Sequence, residues 1–234
     1  MQRLFLFVAI VAITTLGCGR IALADAPSKR HLVYDFTVGV SSTQHFNSSQ
    51  AGTGDNAIAG VVADKGQISV DYLGVESDGG LVVNVSEAAH ATRTLAATTC
   101  VVYANTNVLC GSANVNPEEY SIIRTLSPKF FDATALDANR HWKVEVANAG
   151  VSIDFTAAPG ANGVLSIDSK RVEKSVSGDL TNAEGKYTYE IARFLPTSIK
   201  EYTKMHQQSR PGAYADITID LQATLTSDSL AAAH

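Results

Sequence analysis

Period-2 alternation of apolar and polar residues constrains this chain more than any other feature. Ile217, Ile219, Leu221, Ala223 and Leu225 alternate with Thr218, Asp220, Gln222 and Thr224. Leu32, Tyr34, Phe36, Val38 and Val40 do the same against Val33, Asp35, Thr37 and Gly39. Shorter runs repeat the pattern at Ile68–Tyr72, Leu81–Val85, Trp142–Val146, Val151–Phe155 and Tyr187–Ile191. Side chains alternate across a strand, so each run is a strand with one buried face. Glycine-bearing turns at Ser77–Gly80 and Asn148–Gly150 separate neighbouring runs. Residues 41–57, rich in Ser, Gly and Asn, read as a loop. Residues 196–209 fit either a helix stripe or a strand, and a strand lets the meander continue without a long crossover.

These strands predict a mainly β fold: one large curved antiparallel sheet, half-barrel-like, of about nine to eleven strands. A sheet that large must curl or split. One face is then dry and one wet. A single segment breaks the pattern. Asn116-Pro117-Glu118-Glu119 is a helix start, with Asn at the cap, Pro at the first position and acids in the first turn. Val115 and Tyr120 are placed for a hydrophobic staple. The helix runs about ten residues to Ser127, before Pro128, and its Tyr120/Ile123/Leu126 face needs a sheet to dock on. It is the natural cover for part of the dry face.

The N-terminus reads as an address rather than as fold. Arg3 precedes the apolar run Leu4–Leu16. As a helix that run rises about 20 Å, short of the roughly 30 Å hydrocarbon core. Ala22-Leu23-Ala24 then supplies the small residues of a cleavage site. The expected organisation is a signal peptide at 1–24, a flexible leader at 25–30, one β-rich domain at 31–227 and a C-terminal tail at 228–234. The protein is thus expected to be exported, to the periplasm or the extracellular space. Acylation of Cys18 is the alternative, giving a membrane-anchored lipoprotein; an uncleaved anchor is a third. Either would be the only link to a membrane.

Cleavage after Ala24 removes Cys18 and leaves Cys100 and Cys110, an even number. If Asn105 centres a hairpin turn, Cys100 faces Cys110, Val101 faces Leu109 and Val102 faces Val108. Directly opposed cysteines sit close enough for a disulfide. The loop is then three or five residues, with Asn107 suited to a left-handed position in the longer form. A redox or metal role is the alternative, but the spacing is not C-x-x-C.

Other chemistries find little support. His31, His45, His90, His141, His206 and His234 make no metal motif. No G-x-S-x-G or S-x-x-K occurs, and Gly52-Thr53-Gly54 lacks the lysine of a phosphate loop. The sequons at Asn47 and Asn84 match a pattern that chance often supplies. The formal charge of −5 argues against a nucleic-acid partner. No enzyme, cofactor or metal site is expected. Apolar surface remains: Tyr34, Phe36, Tyr72, Trp142, Phe155, Tyr187 and Tyr189 lie in the alternating rows. They are either packed core or the wall of a site for an acyl chain or other apolar ligand.

The order of features resembles the periplasmic lipoprotein carriers and related envelope lipid-binding proteins, the LolA/LolB-like half-barrels. The likeness is carried by the exported N-terminus, the strand HLVYDFTVGV, the hairpin VDYLGVESDGGLVVNV, the helix NPEEYSIIRTL and the strand HWKVEV. It implies a curved sheet wrapped over helical cover, and a lipid or other apolar ligand. It is architectural and transfers no individual ligand residue. Such carriers usually have more than one covering helix, whereas this chain shows one. Two functions follow as expectations: a non-enzymatic binding protein for an apolar ligand, or a structural or surface-interaction protein of the envelope with no small-molecule ligand.

Overall fold

The structure is a computed structural model that describes residues 30–46, 56–89, 97–111, 115–127, 130, 140–146, 149–160, 163–175, 177–193, 195–210 and 213–230. The expected signal segment, Cys18 and most of the leader lie outside the described residues.

Eleven strands form one antiparallel sheet. They are β1 His31–Phe46, β2 Asn56–Val75, β3 Leu81–Ala89, β4 Thr98–Val102, β5 Val108–Cys110, β6 His141–Val146, β7 Val151–Pro159, β8 Val164–Lys174, β9 Leu180–Glu190, β10 Leu195–Arg210 and β11 Ala213–Asp228. The spatial order is β5-β4-β3-β2-β1-β11-β10-β9-β8-β7-β6. The first half meanders outward from β1. The chain then crosses to the opposite edge and meanders back until β11 pairs with β1. First and last strands therefore lie side by side at the centre.

The ambiguous 196–209 segment is strand, inside β10. The expected loop at 41–57 is shorter than its composition suggests. Phe46 pairs with Asn56 and Ser41 with Val61, so both strands continue into it. A strand needs only a paired neighbour, and Ser and Thr tolerate the extended backbone. Strand β11 ends on Asp228, just past the expected domain boundary.

Alternation sets one inner face. Leu32, Tyr34, Phe36 and Val38 of β1 are buried, and Ile68, Val70 and Tyr72 of β2 join them. Helix α1, Pro117–Arg124, lies over this face and buries Ile122 and Ile123, with Leu126 and Phe130 beyond it. It is shorter than expected: Thr125 is its C-cap, and the chain continues in turns. At its start the Glu119 carboxylate accepts the Asn116 N–H at 3.0 Å, while Asn116 Nδ2 donates to Glu87 Oε2 of β3 at 2.7 Å.

Cys100 and Cys110 form a disulfide across β4 and β5, in the register expected. The loop is the three-residue form. Thr106, not Asn107, takes the left-handed conformation, at φ 64°. With Tyr103 and Asn107 paired, the third loop position is residue 106, which must turn left-handed to close the hairpin. Asn105 instead uses its side chain, accepting the Asn107 N–H at 3.1 Å.

Candidate functional site

The seven aromatic candidates all lie on the inner face, and all are buried. They fall into two groups. Trp142 of β6 stacks on Phe155 of β7 with centroids 5.1 Å apart. Phe130 meets both Phe155 and Tyr187 edge-on, at 5.0 and 4.8 Å. The second group is Tyr34, Tyr72 and Tyr189, with Phe36 further along β1. Tyr34 donates to the Pro196 carbonyl at 3.0 Å, and the Arg30 guanidinium lies 5.8 Å from the Tyr72 ring centre. Burial pushes the Tyr72 phenol up to about 12. These aromatics are the packed core of one half of the inner face.

A lock closes that half. Arg30 Nε and Nη2 donate to the two carboxylate oxygens of Asp228, at 3.1 and 2.7 Å, and Nη1 donates to the Arg193 carbonyl at 2.9 Å. Arg193 Nη1 also donates to Asp228, at 3.2 Å. The start of β1 is thereby clamped to the end of β11. Burial raises the Asp228 carboxyl, but its hydrogen bonds to Arg30, the Leu230 N–H and Arg193 hold it below the ordinary range.

Under the helix sits a second buried carboxylate, Glu201 of β10. Arg124 Nη2 donates to it at 2.5 Å, the Tyr187 hydroxyl at 3.1 Å, the Ser121 hydroxyl at 3.2 Å and the Thr203 hydroxyl at 3.3 Å. Burial pushes this carboxyl up; the Arg124 and Arg171 charges, with the Tyr187 and Ser121 hydroxyls, carry it below its ordinary value. Tyr187 reaches Glu201 across Gly185, where a Cβ would collide with the Tyr187 ring and hydroxyl. A strand-interior glycine is here a gap for a crossing side chain.

Beside this network is a cleft of about 70 Å³, walled by Arg124, Arg171, Tyr120, Ile153, Glu173 and the Asn105–Asn107 turn. Arg124 is 4% exposed, yet its Nε and Nη1 have no hydrogen-bond partner. Arg171 Nε is likewise buried and unpartnered, while its Nη1 lies 3.4 Å from Glu173 Oε2. A buried donor left unmet costs about 1–3 kcal/mol. Burial and the neighbouring Arg124 charge both lower Arg171 from its ordinary value.

Further along the long strands the inner face opens by degrees: Ala183, Thr203 and Ile219 are still buried, and the row beyond them is half-buried from Glu173 to Ser42. Paired residues share a face, so the rows are set by register. One row runs Arg171, Ala183, Thr203, Ile219, Val40, Val62. The next runs Glu173, Thr181, Met205, Ile217, Ser42, Gly60. Ile58 and Val62 are each 65% exposed, and Val40, Met205 and Ile217 are half-buried. A groove of about 590 Å³ lies at the far end of these strands, walled by Ser42, Gln44, Phe46, Gln207, Ala215 and Ile217 of this face together with Asp179, Gln208 and Tyr214. That volume falls within the range of small-molecule sites. None of the seven aromatic candidates lines the groove or the cleft.

Sequence reasoning passed over Arg124, Arg171, Glu201 and the groove residues. Glu201 was legible only by reading 196–209 with period 2, which puts Ile199, Glu201, Thr203 and Met205 on one face. On the outer face, two histidines from unrelated segments come together. His45 stacks on Tyr214 at 4.3 Å, and His206 bonds Asp216 at 2.8 Å. Among the described residues no group of three or more His, Cys, Asp or Glu is placed to hold a metal ion, and no helix is long and apolar enough to cross a membrane.

No family model and no curated protein matches the chain. Among solved structures it is similar to one described as lipid-protein interactions in lipovitellin, at 10% identity and a TM-score of 0.46. That match covers 87% of this chain but 25% of the other, so the chain spans about a quarter of it. A second match is the T2SS secretin XcpQ from Pseudomonas aeruginosa, at 12% identity and a TM-score of 0.14, covering 90% of this chain and 62% of that one.

Proposed function

We propose that this is an exported, non-enzymatic binding protein that holds an apolar ligand, such as a lipid acyl chain, on the open part of its inner face. One observation carries the reading. The inner face is divided: α1 and the aromatic core fill one part, and the other leaves Val40, Ile58, Val62 and Met205 exposed or half-buried, next in the strands and rows to a groove of about 590 Å³ that Ile217 lines. Apolar side chains left uncovered beside a packed core are what a ligand covers when it binds. The likeness to envelope lipid carriers seen in the sequence points the same way, and a disulfide is compatible with an oxidising compartment.

The test is native mass spectrometry of the purified protein with lipid extraction, paired with displacement of an apolar fluorescent probe. Co-purified lipid and displacement by fatty acids or fatty alcohols are expected. Val62→Asp, at an exposed position, should weaken probe binding about tenfold without lowering stability. No lipid and no probe binding would sink the proposal.

One observation favours surface interaction as a second reading. Strand β3 pairs with β2 only over Gly66–Val75, so among the described residues the apolar 56–65 stretch of β2 pairs on one side only. Such an edge accepts an added strand. Light scattering that finds a dimer lost in Val61→Lys would support it; a monomer at every concentration would count against self-pairing.

A further inference from the structure

We propose that the cleft beside α1 takes the acidic head of an amphiphile, a carboxylate or a phosphate, whose chain crosses the inner face into the open groove. The proposal rests on the apolar-ligand reading and adds the chemistry of the head.

The cleft is short of acceptors. Arg124 and Arg171 both line it, and three of their buried guanidinium nitrogens have no partner: Nε and Nη1 of Arg124, and Nε of Arg171. A guanidinium has no acceptor and keeps its proton, so only an acceptor completes it. The contrast with Arg30, whose three nitrogens all donate, shows that this fold can saturate a buried arginine. The Arg124 charge disfavours that of Arg171, and Glu201 and Glu173 offset this only in part; an anion relieves the rest, which a neutral carbonyl does not. Carboxylate and phosphate oxygens match the planar fork of arginine. Glu201 and Glu173 already engage these arginines, each from one side. The free nitrogens are thus the ones left for a ligand.

Size and position assign the rest of the molecule. About 70 Å³ admits a head group and no chain. Glu173 lines this cleft, and its row continues through Thr181, Met205, Ile217 and Ser42, the last two in the wall of the groove. Every residue of that row from Glu173 to Ser42 is half-buried. From β8 to β1 the row crosses four interstrand gaps, roughly 19 Å at about 4.8 Å each. The path leads from the two guanidiniums to the apolar side chains of Met205 and Ile217, an order of polar and then apolar surface that an amphiphile matches.

The experiment compares hexadecanoate, hexadecyl phosphate, hexadecanol and inorganic phosphate on the purified protein by calorimetry. Hexadecanoate or hexadecyl phosphate is expected to bind at least about tenfold tighter than hexadecanol. Arg171→Gln should remove that preference and leave hexadecanol unchanged, and Arg171→Lys should restore part of it. Equal binding of the acid and the alcohol would overturn the head-group assignment and leave the groove standing. Loss of both ligands in a folded Arg171→Gln would overturn it as well, since the residue would then serve structure. Inorganic phosphate binding as tightly as the amphiphiles would make this a free-anion site and refute the chain path. If neither acid nor alcohol binds, the groove reading itself fails, and the head-group proposal with it.

Discussion

Among the described residues, two buried guanidinium–carboxylate pairs, Arg30–Asp228 and Arg124–Glu201, are built on opposite principles. In the first, the arginine is saturated: each of its three nitrogens has an acceptor, and both carboxylate oxygens are used. In the second, the carboxylate is saturated, taking one arginine and three hydroxyls, while two arginine nitrogens are left unmet. The first joins the two ends of the described chain, and the second borders a cleft. The difference separates a lock from a site: a fold that needs only stability completes both partners, whereas one that binds leaves donors for something else.

The largest expected effect comes from breaking the lock. Arg30→Met strands the buried Asp228 with Arg193 as its remaining cation. The cost should be about 3–5 kcal/mol, as for other buried pairs that lose one member. Urea unfolding followed by circular dichroism reads it directly. A loss under about 1 kcal/mol would show that the clamp between β1 and β11 contributes little.

Gly185→Ala tests whether the second network depends on a gap in the backbone. The added methyl meets the Tyr187 ring, so the ring must move and Glu201 loses a donor. Overpacking of this kind costs about 1–3 kcal/mol. If the variant is as stable as the parent, Tyr187 moves freely and the crossing is not a constraint.

Arg124→Met should cost less, about 1–2 kcal/mol, because only one of the three Arg124 nitrogens has a partner and Glu201 keeps its hydroxyl donors. Matched unfolding curves for Arg30→Met and Arg124→Met are the direct comparison. Equal losses would mean that unmet donors do not distinguish the two arginines.

How legible these features were follows from their physics. The sheet was legible because burial of one face forces period 2, as in Leu32–Val40 and Ile217–Leu225. The register at Cys100 and Cys110 was legible because a hairpin of fixed centre pairs residues by arithmetic. The continuation of β1 and β2 through Ser41–Phe46 and Asn56–Val61 was not: local composition says nothing of a neighbouring strand. Alternation puts the aromatic rows on one face, but which part of that face is covered depends on where α1 docks. Arg124 and Glu201 lie 77 residues apart, and Arg171 and the Asn105–Asn107 turn meet only because the sheet curls. No spacing rule reports contacts that curvature makes.

The finest test of the contrast is pH. Asp228 and Glu201 both sit below their ordinary values, so each folded carboxylate binds its proton less readily than the unfolded one. The stability they contribute is fully present above the unfolded values, roughly pH 4, and is lost as pH falls through the folded ones. In Arg30→Met, burial of Asp228 is opposed only by Arg193 and the Leu230 N–H. Its carboxyl therefore rises, and acid no longer removes a favourable contact. The stability gap between parent and Arg30→Met should then narrow from pH 6 to pH 3. The change should stay under about 1.4 kcal/mol per pH unit, the limit for one proton. Arg124→Met should narrow less, because Glu201 retains Arg171 and the hydroxyls of Tyr187 and Ser121. Urea midpoints measured across that range decide it. Equal narrowing would mean that Arg124 governs Glu201 as fully as Arg30 governs Asp228, and the proposed division between a lock and a site would lose its electrostatic basis.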